Sequence, residues 1–154
     1  MEEFDFINAT DKPALLAIST REWREQATSA LVEQGYKVQA VESHEQFHAR
    51  FNIVNYKVVV IEENFGDGTP LENESLKTLQ TLPMAQRRHA AILLLGAAFE
   101  TLNALQAFAQ SVHCVVNYSE TPLIGQLVQK SVAENDLFLA PFLEIQRSVH
   151  LKAK

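Results

Sequence analysis

The sequence predicts an α/β domain: a doubly wound parallel five-stranded sheet of (βα)5 order, with an extra C-terminal helix. Five short apolar runs alternate with five segments whose apolar residues recur at three- and four-residue spacing. Two of the runs, residues 58–61 and 90–96, are continuously apolar, which is typical of strands buried on both faces. The connections are short, so right-handed crossovers should place helices on both faces of the sheet.

The predicted elements alternate along the whole chain. Strands are expected at 13–19, 36–41, 56–62, 90–96 and 112–117. Helices are expected at 21–34, from the cap at 43 through 54, at 74–84, at 101–110, from 122 through 132, and at 134–151. Residues 1–12 are interpreted as an N-terminal tail, 13–133 as the domain and 134–154 as a C-terminal helical extension.

Local signals define several helix ends. Gly35 should end the first helix at its C′ position, and Ser43 with Gln46 forms a capping box for the second. The Thr121-Pro122 pair should cap and begin the fifth helix. The apolar side of the fourth helix is assigned to Leu102, Leu105 and Phe108.

Composition excludes several classes of partner. The chain has 154 residues, a net charge of -6 and 47% hydrophobic residues. An acidic chain is unsuited to nonspecific binding of nucleic acid or an anionic membrane, because both need a basic surface. No apolar run reaches the length of a membrane span. The single cysteine, Cys114, lies in an apolar run and should be buried, so a cytoplasmic location is expected.

The central predicted strand ends at two carboxylates, Glu62 and Glu63, followed by a glycine-rich loop that contains Asp67. Sites in open α/β sheets are built at the carboxyl ends of strands. A cation pocket and a solvated acidic loop both fit these residues, and the absence of a second acidic pair favours the loop. His44 and His48 are spaced as metal ligands on a helix, but nothing completes the set. Surface histidines and no metal are therefore expected.

The element order, the lengths and the position of Glu62 resemble the receiver domain of bacterial response regulators, over residues 13–133. The resemblance implies a flavodoxin-like fold with a phosphoacceptor Asp after the third strand and a Mg²⁺-binding acidic pair after the first. It also implies a Ser or Thr after the fourth strand and Lys-Pro after the fifth. Each of these places differs here, which gives a degenerate phosphoacceptor pocket of Ser19, Thr20, Glu62, Gly96 and Asn117.

The departures predict a pseudo-receiver: a non-enzymatic protein-interaction module of bacterial signal transduction that needs no cofactor. Phosphoryl transfer needs an in-line nucleophile, a metal and a cation, and the pocket lacks the last two. The family's contact face would here contain Gln106, Gln110, Tyr118 and Gln126, with Tyr118 as an aromatic anchor. Two alternatives stay open: an atypical phosphorylatable receiver, and a small-molecule sensor whose crevice is bounded by Ser19, Glu62 and Gly96.

The C-terminal extension carries more large apolar residues than a solvated helix needs. Pro141 should kink or restart it. It is expected either to fold back on the domain or to pack on another chain, which includes a homodimer. The candidate assembly residues are Leu137, Phe138, Phe142 and Ile145.

Three segments, residues 65–70, 82–88 and 115–117, resemble a receiver-like module found in the C-terminal part of delta-proteobacterial zinc-ribbon proteins. Zinc-ribbon cysteines do not occur in this chain. The resemblance implies that the chain is a piece of a larger protein or a shortened relative.

Overall fold

The computed structural model describes residue 7 and residues 10–66, 72–83 and 89–152. Its strands are β1 (Lys12–Ala17), β2 (Tyr36–Ala40), β3 (Val58–Glu62), β4 (Ala91–Gly96) and β5 (Cys114–Asn117). Its α-helices are α1 (Arg21–Glu33), α2 (His44–Phe51), α3 (Glu74–Thr81), α4 (Ala104–Gln110) and α5 (Ile124–Lys152). A 3-10 turn at Tyr118–Leu123 joins β5 to α5.

The strands form one sheet in the order β2-β1-β3-β4-β5, and every neighbouring pair is parallel. The predicted doubly wound five-stranded sheet is therefore confirmed. The register aligns Glu62 with Leu95 and Gly96 with Asn117. The sequence-predicted site residues consequently meet at the carboxyl edge of the sheet.

The core consists of two layers, one on each face of the sheet. Alternate strand residues such as Leu16 and Val60 face the layer formed with α1 and α5. Their neighbours Leu15 and Val59 face the layer formed with α2, α3 and α4. The strand runs are continuously apolar because successive side chains point into opposite layers, and both layers are buried from solvent.

The capping predictions are confirmed in part. Gly35 follows α1 with a φ of +90°, a backbone conformation that glycine adopts without strain. The Ser43 hydroxyl accepts the Gln46 N–H at 3.1 Å, as in a capping box. The Gln46 side chain, however, reaches the N–H of Glu42 rather than that of the cap residue.

The predicted start of α4 is wrong, and the apolar side of the helix is exposed. Leu102 has a φ of 68°, which an α-helix cannot contain, so α4 begins only after the cap residue Asn103. The side chains of Leu105 and Phe108 are 80% and 83% exposed, and Ala107 is the residue of α4 that is buried. The three- and four-residue spacing here marks an outer face rather than an inner one.

The predicted C-terminal helical extension is present, but it continues the fifth helix instead of forming a separate one. Residues 124–152 form one helix of 29 residues that passes through Pro141 without restarting. The Thr121-Pro122 pair lies in the preceding 3-10 turn instead of the first α-helical turn. Among the described residues, no helix is both long enough and apolar enough to cross a membrane.

Candidate functional site

Glu62, the last residue of β3, points its carboxylate into the loop that follows β1. Its Oε1 accepts the backbone N–H groups of Ser19 and Thr20 at 2.9 and 3.1 Å. Its Oε2 accepts the Thr20 hydroxyl at 2.9 Å and the Tyr118 hydroxyl at 3.0 Å. Glu62 is only 4% exposed, so these contacts replace its water. Hydrogen bonding of this kind is what a buried charge requires.

Tyr118, which directly follows β5, completes the site. Its ring stacks on Trp23 of α1, with centroids 3.6 Å apart and planes 8° from parallel. Burial raises the pKa of the Tyr118 hydroxyl, and the negative charge of Glu62 raises it further. The hydroxyl therefore remains a proton donor to Glu62 throughout the neutral range.

This arrangement leaves Glu62 little capacity for chemistry. A nucleophilic carboxylate needs a free oxygen in line with the incoming phosphoryl group, and a Mg²⁺ ligand needs a free lone pair directed at the ion. Here both oxygens are directed at protein donors, including two backbone N–H groups that cannot turn away. We call Glu62, Thr20, Tyr118 and Trp23 the carboxylate lock.

Asn73 fixes the strand end beneath the lock. Its amide donates to the carbonyls of Glu62 and Glu63 at 3.0 and 3.1 Å, and its oxygen caps α3 by accepting the Leu76 N–H. Asn73 is fully buried. Glu63 turns away from Glu62 and accepts the Ala97 N–H at a long 3.3 Å.

Gly96 stands where the resemblance expects a Ser or Thr, and it has no space for a side chain. A Cβ at this position would lie 2.6 Å from Phe99 and 2.7 Å from the carboxyl carbon of Glu63. The side chains of Glu63 and Phe99 therefore fill the place where a hydroxyl would contact a phosphoryl group.

Asn117 stands where the resemblance expects Lys, and its side chain forms hydrogen bonds with backbone groups. It donates to the carbonyls of Ala97 and Phe99 at 3.1 and 2.8 Å and accepts the Ser119 N–H at 2.9 Å. The side chain thus fastens the loop after β4 to the turn after β5. It supplies no positive charge to the site.

The two histidines spaced as metal ligands join α2 to α3. Nδ1 of His44 accepts the Ser75 N–H at 3.2 Å, and Nε2 of His48 lies 2.8 Å from the Thr78 hydroxyl. Within the described residues, no group of three or more histidine, cysteine or acidic side chains could hold a metal. Asp67, the third member of the candidate acidic pocket, lies outside the described residues.

The predicted contact face is only partly available. The Gln106 side chain accepts the Glu100 N–H, and the backbone carbonyl of Gln110 accepts a hydrogen bond from the side-chain amide of Gln80. Tyr118, predicted as an outward anchor, is instead held within the chain by the carboxylate lock. Gln126 is exposed.

A cavity of about 750 Å³ lies between α1 and α5, away from the strand-end crevice. Its lining includes Gln34, Tyr36, Gln126 and Asp136. At the strand-end crevice proposed for a small-molecule sensor, the Glu62 carboxylate is hydrogen-bonded to Ser19, Thr20 and Tyr118.

Sequence reasoning brought together the five pocket residues but missed two that organise them. Trp23 lies in the apolar stripe of α1, and nothing local signals a partner 95 positions away. Asn73 follows the glycine-rich loop directly before α3. Its position before a helix indicates a cap, which could have drawn attention to it.

Comparison with solved structures identifies the architecture. The chain resembles CheY4, a chemotaxis response regulator of Vibrio cholerae, with a TM-score of 0.62 and 16% identity over 80% of this chain and 99% of that one. It resembles a CheY-like receiver domain protein from Methanospirillum hungatei, with a TM-score of 0.64 and 8% identity over 82% and 98%.

The chain has the receiver fold. A third similar structure is the beryllofluoride-activated NtrC4 receiver domain dimer, with a TM-score of 0.60 and 11% identity over 80% of this chain and 98% of that one. Neither a protein-family model nor a curated protein sequence matches the chain. Two of the segments that resemble the zinc-ribbon proteins' module fall largely on residues 67–71 and 84–88, outside the described residues, so that resemblance stays a prediction.

Proposed function

We propose that this chain is a pseudo-receiver: a non-enzymatic protein-interaction module of bacterial signal transduction that is not phosphorylated at the strand-end position. The observation that carries the proposal is the saturated Glu62 carboxylate, whose two oxygens accept four hydrogen bonds from the protein. Conversion of this carboxylate to an acyl phosphate would break several of those bonds at once.

The surroundings of the lock support the same proposal. The positions that would hold Mg²⁺ in a receiver contribute backbone N–H groups and a hydroxyl from Ser19 and Thr20, which are donors to an anion and poor ligands for a cation. The place of the phosphate-binding lysine is taken by Asn117. A phosphoryl group would therefore have neither metal nor cation to stabilise its charge.

A role in protein interaction follows from what the fold retains. Receiver-fold proteins such as the NtrC4 receiver domain form dimers. This chain exposes Leu105 and Phe108 on α4, and Leu137 and Ile145 on α5. A contiguous patch of such side chains would mark a site of contact with another protein.

The proposal is tested by incubating the full chain with Mg²⁺ and a small phosphoryl donor such as acetyl phosphate, followed by intact-mass measurement. We expect no covalent phosphoryl group on the wild type. The matched variant Glu62→Asp restores the family's acceptor, and it should also stay unmodified because the metal ligands and lysine are still missing.

A phosphoryl adduct on the wild type that disappears in Glu62→Gln would overturn the proposal and favour the atypical phosphorylatable receiver. Titration with Mg²⁺ followed by amide chemical shifts gives a second measurement. Saturable shifts centred on Ser19, Thr20 and Glu62 would contradict the proposal, because they would mean that Mg²⁺ can displace the hydrogen bonds between these residues.

A further inference from the structure

The helix α5 continues well beyond the domain that it covers. Ile124 and Val128 are buried in the core, and Asn135 is 7% exposed. After Asn135 the described large apolar side chains are exposed: Leu137 is 75% exposed, Phe138 58%, Ile145 64% and Val149 62%. The side chain of Phe142 lies outside the described ones, so the choice between fold-back and packing on another chain stays a prediction.

The exposed apolar residues continue the stripe by which α5 packs on its own domain. The stripe advances in steps of three, four, three, seven and four residues, which fit one heptad seam. Its first half is buried in the domain and its second half is exposed. Its members are Val128, Ser131, Asn135, Phe138, Ile145 and Val149.

The outer stretch of α5, residues 136–152, needs packing to remain helical. Pro141 removes a backbone donor and crowds the preceding turn. A partner that covers the stripe would supply the stabilisation that the sequence alone does not.

Charge indicates which partner fits. The outer stretch contains two acidic residues, Asp136 and Glu144, and two basic ones, Arg147 and Lys152, whereas the whole chain has a net charge of -6. In the sequence, the positions beside the seam carry no charge: they are Leu139, Pro141, Gln146 and Ser148. Two copies can therefore meet here without like-charge repulsion, while a membrane surface would require a basic helix face.

We propose that the outer stretch of α5 pairs with the same stretch of a second copy of this chain, with Phe138, Ile145 and Val149 at the seam. A pair related by a two-fold axis places the same stripe on both sides, which closes the assembly at two copies. This inference names the partner that the proposed function leaves open and rests on that function only in treating the chain as an interaction module.

The experiment measures the mass of the full chain by light scattering and sedimentation over a concentration series. We expect twice the chain mass of 17.3 kDa for the wild type. Ile145→Glu and Val149→Glu should each weaken dimerisation by roughly 100-fold or more, because they bury an unpaired charge at the seam. Ala140→Glu adds the same charge on the opposite side of the helix and should leave the dimer intact.

Circular dichroism and thermal unfolding of each variant establish that the domain itself is folded. A wild-type monomer at every concentration would overturn the inference. A dimer that survives Ile145→Glu but is lost in Phe108→Glu would also overturn it, because the interface would then lie on α4. Neither result affects the phosphorylation test, so the two proposals can fail separately.

Discussion

At the scale of single residues, the site is defined by where hydrogen-bond donors point. One methylene separates Glu62 from the aspartate that the receiver resemblance expects. In this fold, that longer carboxylate meets two backbone N–H groups and two hydroxyls. A carboxylate held in this way stabilises the fold. Removing one of its hydrogen bonds should therefore lower the free energy of unfolding by a measurable amount.

We expect Tyr118→Phe to lower the free energy of unfolding by about 1.5–3 kcal/mol, the range for a hydrogen bond to a charged group. The ring and its stacking on Trp23 would be retained, so the effect isolates the hydroxyl. Urea unfolding at neutral pH measures it. Tyr36→Phe is the matched control, since that ring packs under Lys12 and its loss of a hydroxyl should cost less.

The double variant Tyr118→Phe with Glu62→Gln should lose less stability than the sum of the two single variants, because both act on one hydrogen bond. Fully additive effects would mean that Tyr118 and Glu62 do not interact as described. The hydrogen bond between Tyr118 and Glu62 would then contribute no measurable coupling energy to stability.

At the scale of elements, the residues that follow β3 and β4 determine what the site can contain. A Cβ at position 96 would lie within 2.7 Å of the side chain of Glu63 and the ring of Phe99. Glycine is favoured there by space rather than by backbone conformation. A hydroxyl at this position would require those two side chains to move.

We expect Gly96→Ser, which restores the residue type of the family, to destabilise the chain by about 1–3 kcal/mol through overpacking. Thermal or urea unfolding measures the change. Ala97→Ser is the matched control, since it adds a hydroxyl at the next, exposed position and should stay within about 0.5 kcal/mol. Equal stability of the two variants would show that the side chains of Glu63 and Phe99 can move aside at no cost.

At the scale of the whole molecule, all three tyrosines are buried or half-buried: Tyr36 and Tyr56 are buried, and Tyr118 is half-buried. Burial raises the pKa of Tyr56 to about 12, and burial also raises the pKa values of Tyr36 and Tyr118, with nearby acidic groups adding to the latter two. They lie in different parts of the fold. Their shared behaviour therefore reports on the global structure.

We expect no tyrosine of the folded protein to ionise near its ordinary pKa of about 10. The unfolded chain releases these protons near pH 10, while the folded chain keeps them. The contribution of the neutral tyrosines to the free energy of unfolding is therefore fully present below about pH 10 and is lost as the pH rises further. Tyrosinate absorbance against pH measures this, with the chain in denaturant as the control. A folded-state transition centred near 10 would contradict the prediction.

The sequence by itself determined the sheet and its order of elements. Apolar runs such as residues 58–61 can be buried on both faces only if the sheet lies between two layers of helices. The alternation of strands and helices with short connections then favours parallel neighbouring strands. It also placed Ser19, Thr20, Glu62, Gly96 and Asn117 at one edge, because the carboxyl ends of parallel strands share that edge.

Only the tertiary structure decided what those residues do. The Trp23–Tyr118 stack and the bond from Tyr118 to Glu62 join positions far apart in the chain, and no local pattern encodes such contacts. The left-handed backbone at Leu102 likewise moved the start of α4. Spacing shows that a helix has an apolar side, but whether that side faces the core or the solvent depends on what the rest of the fold brings to it.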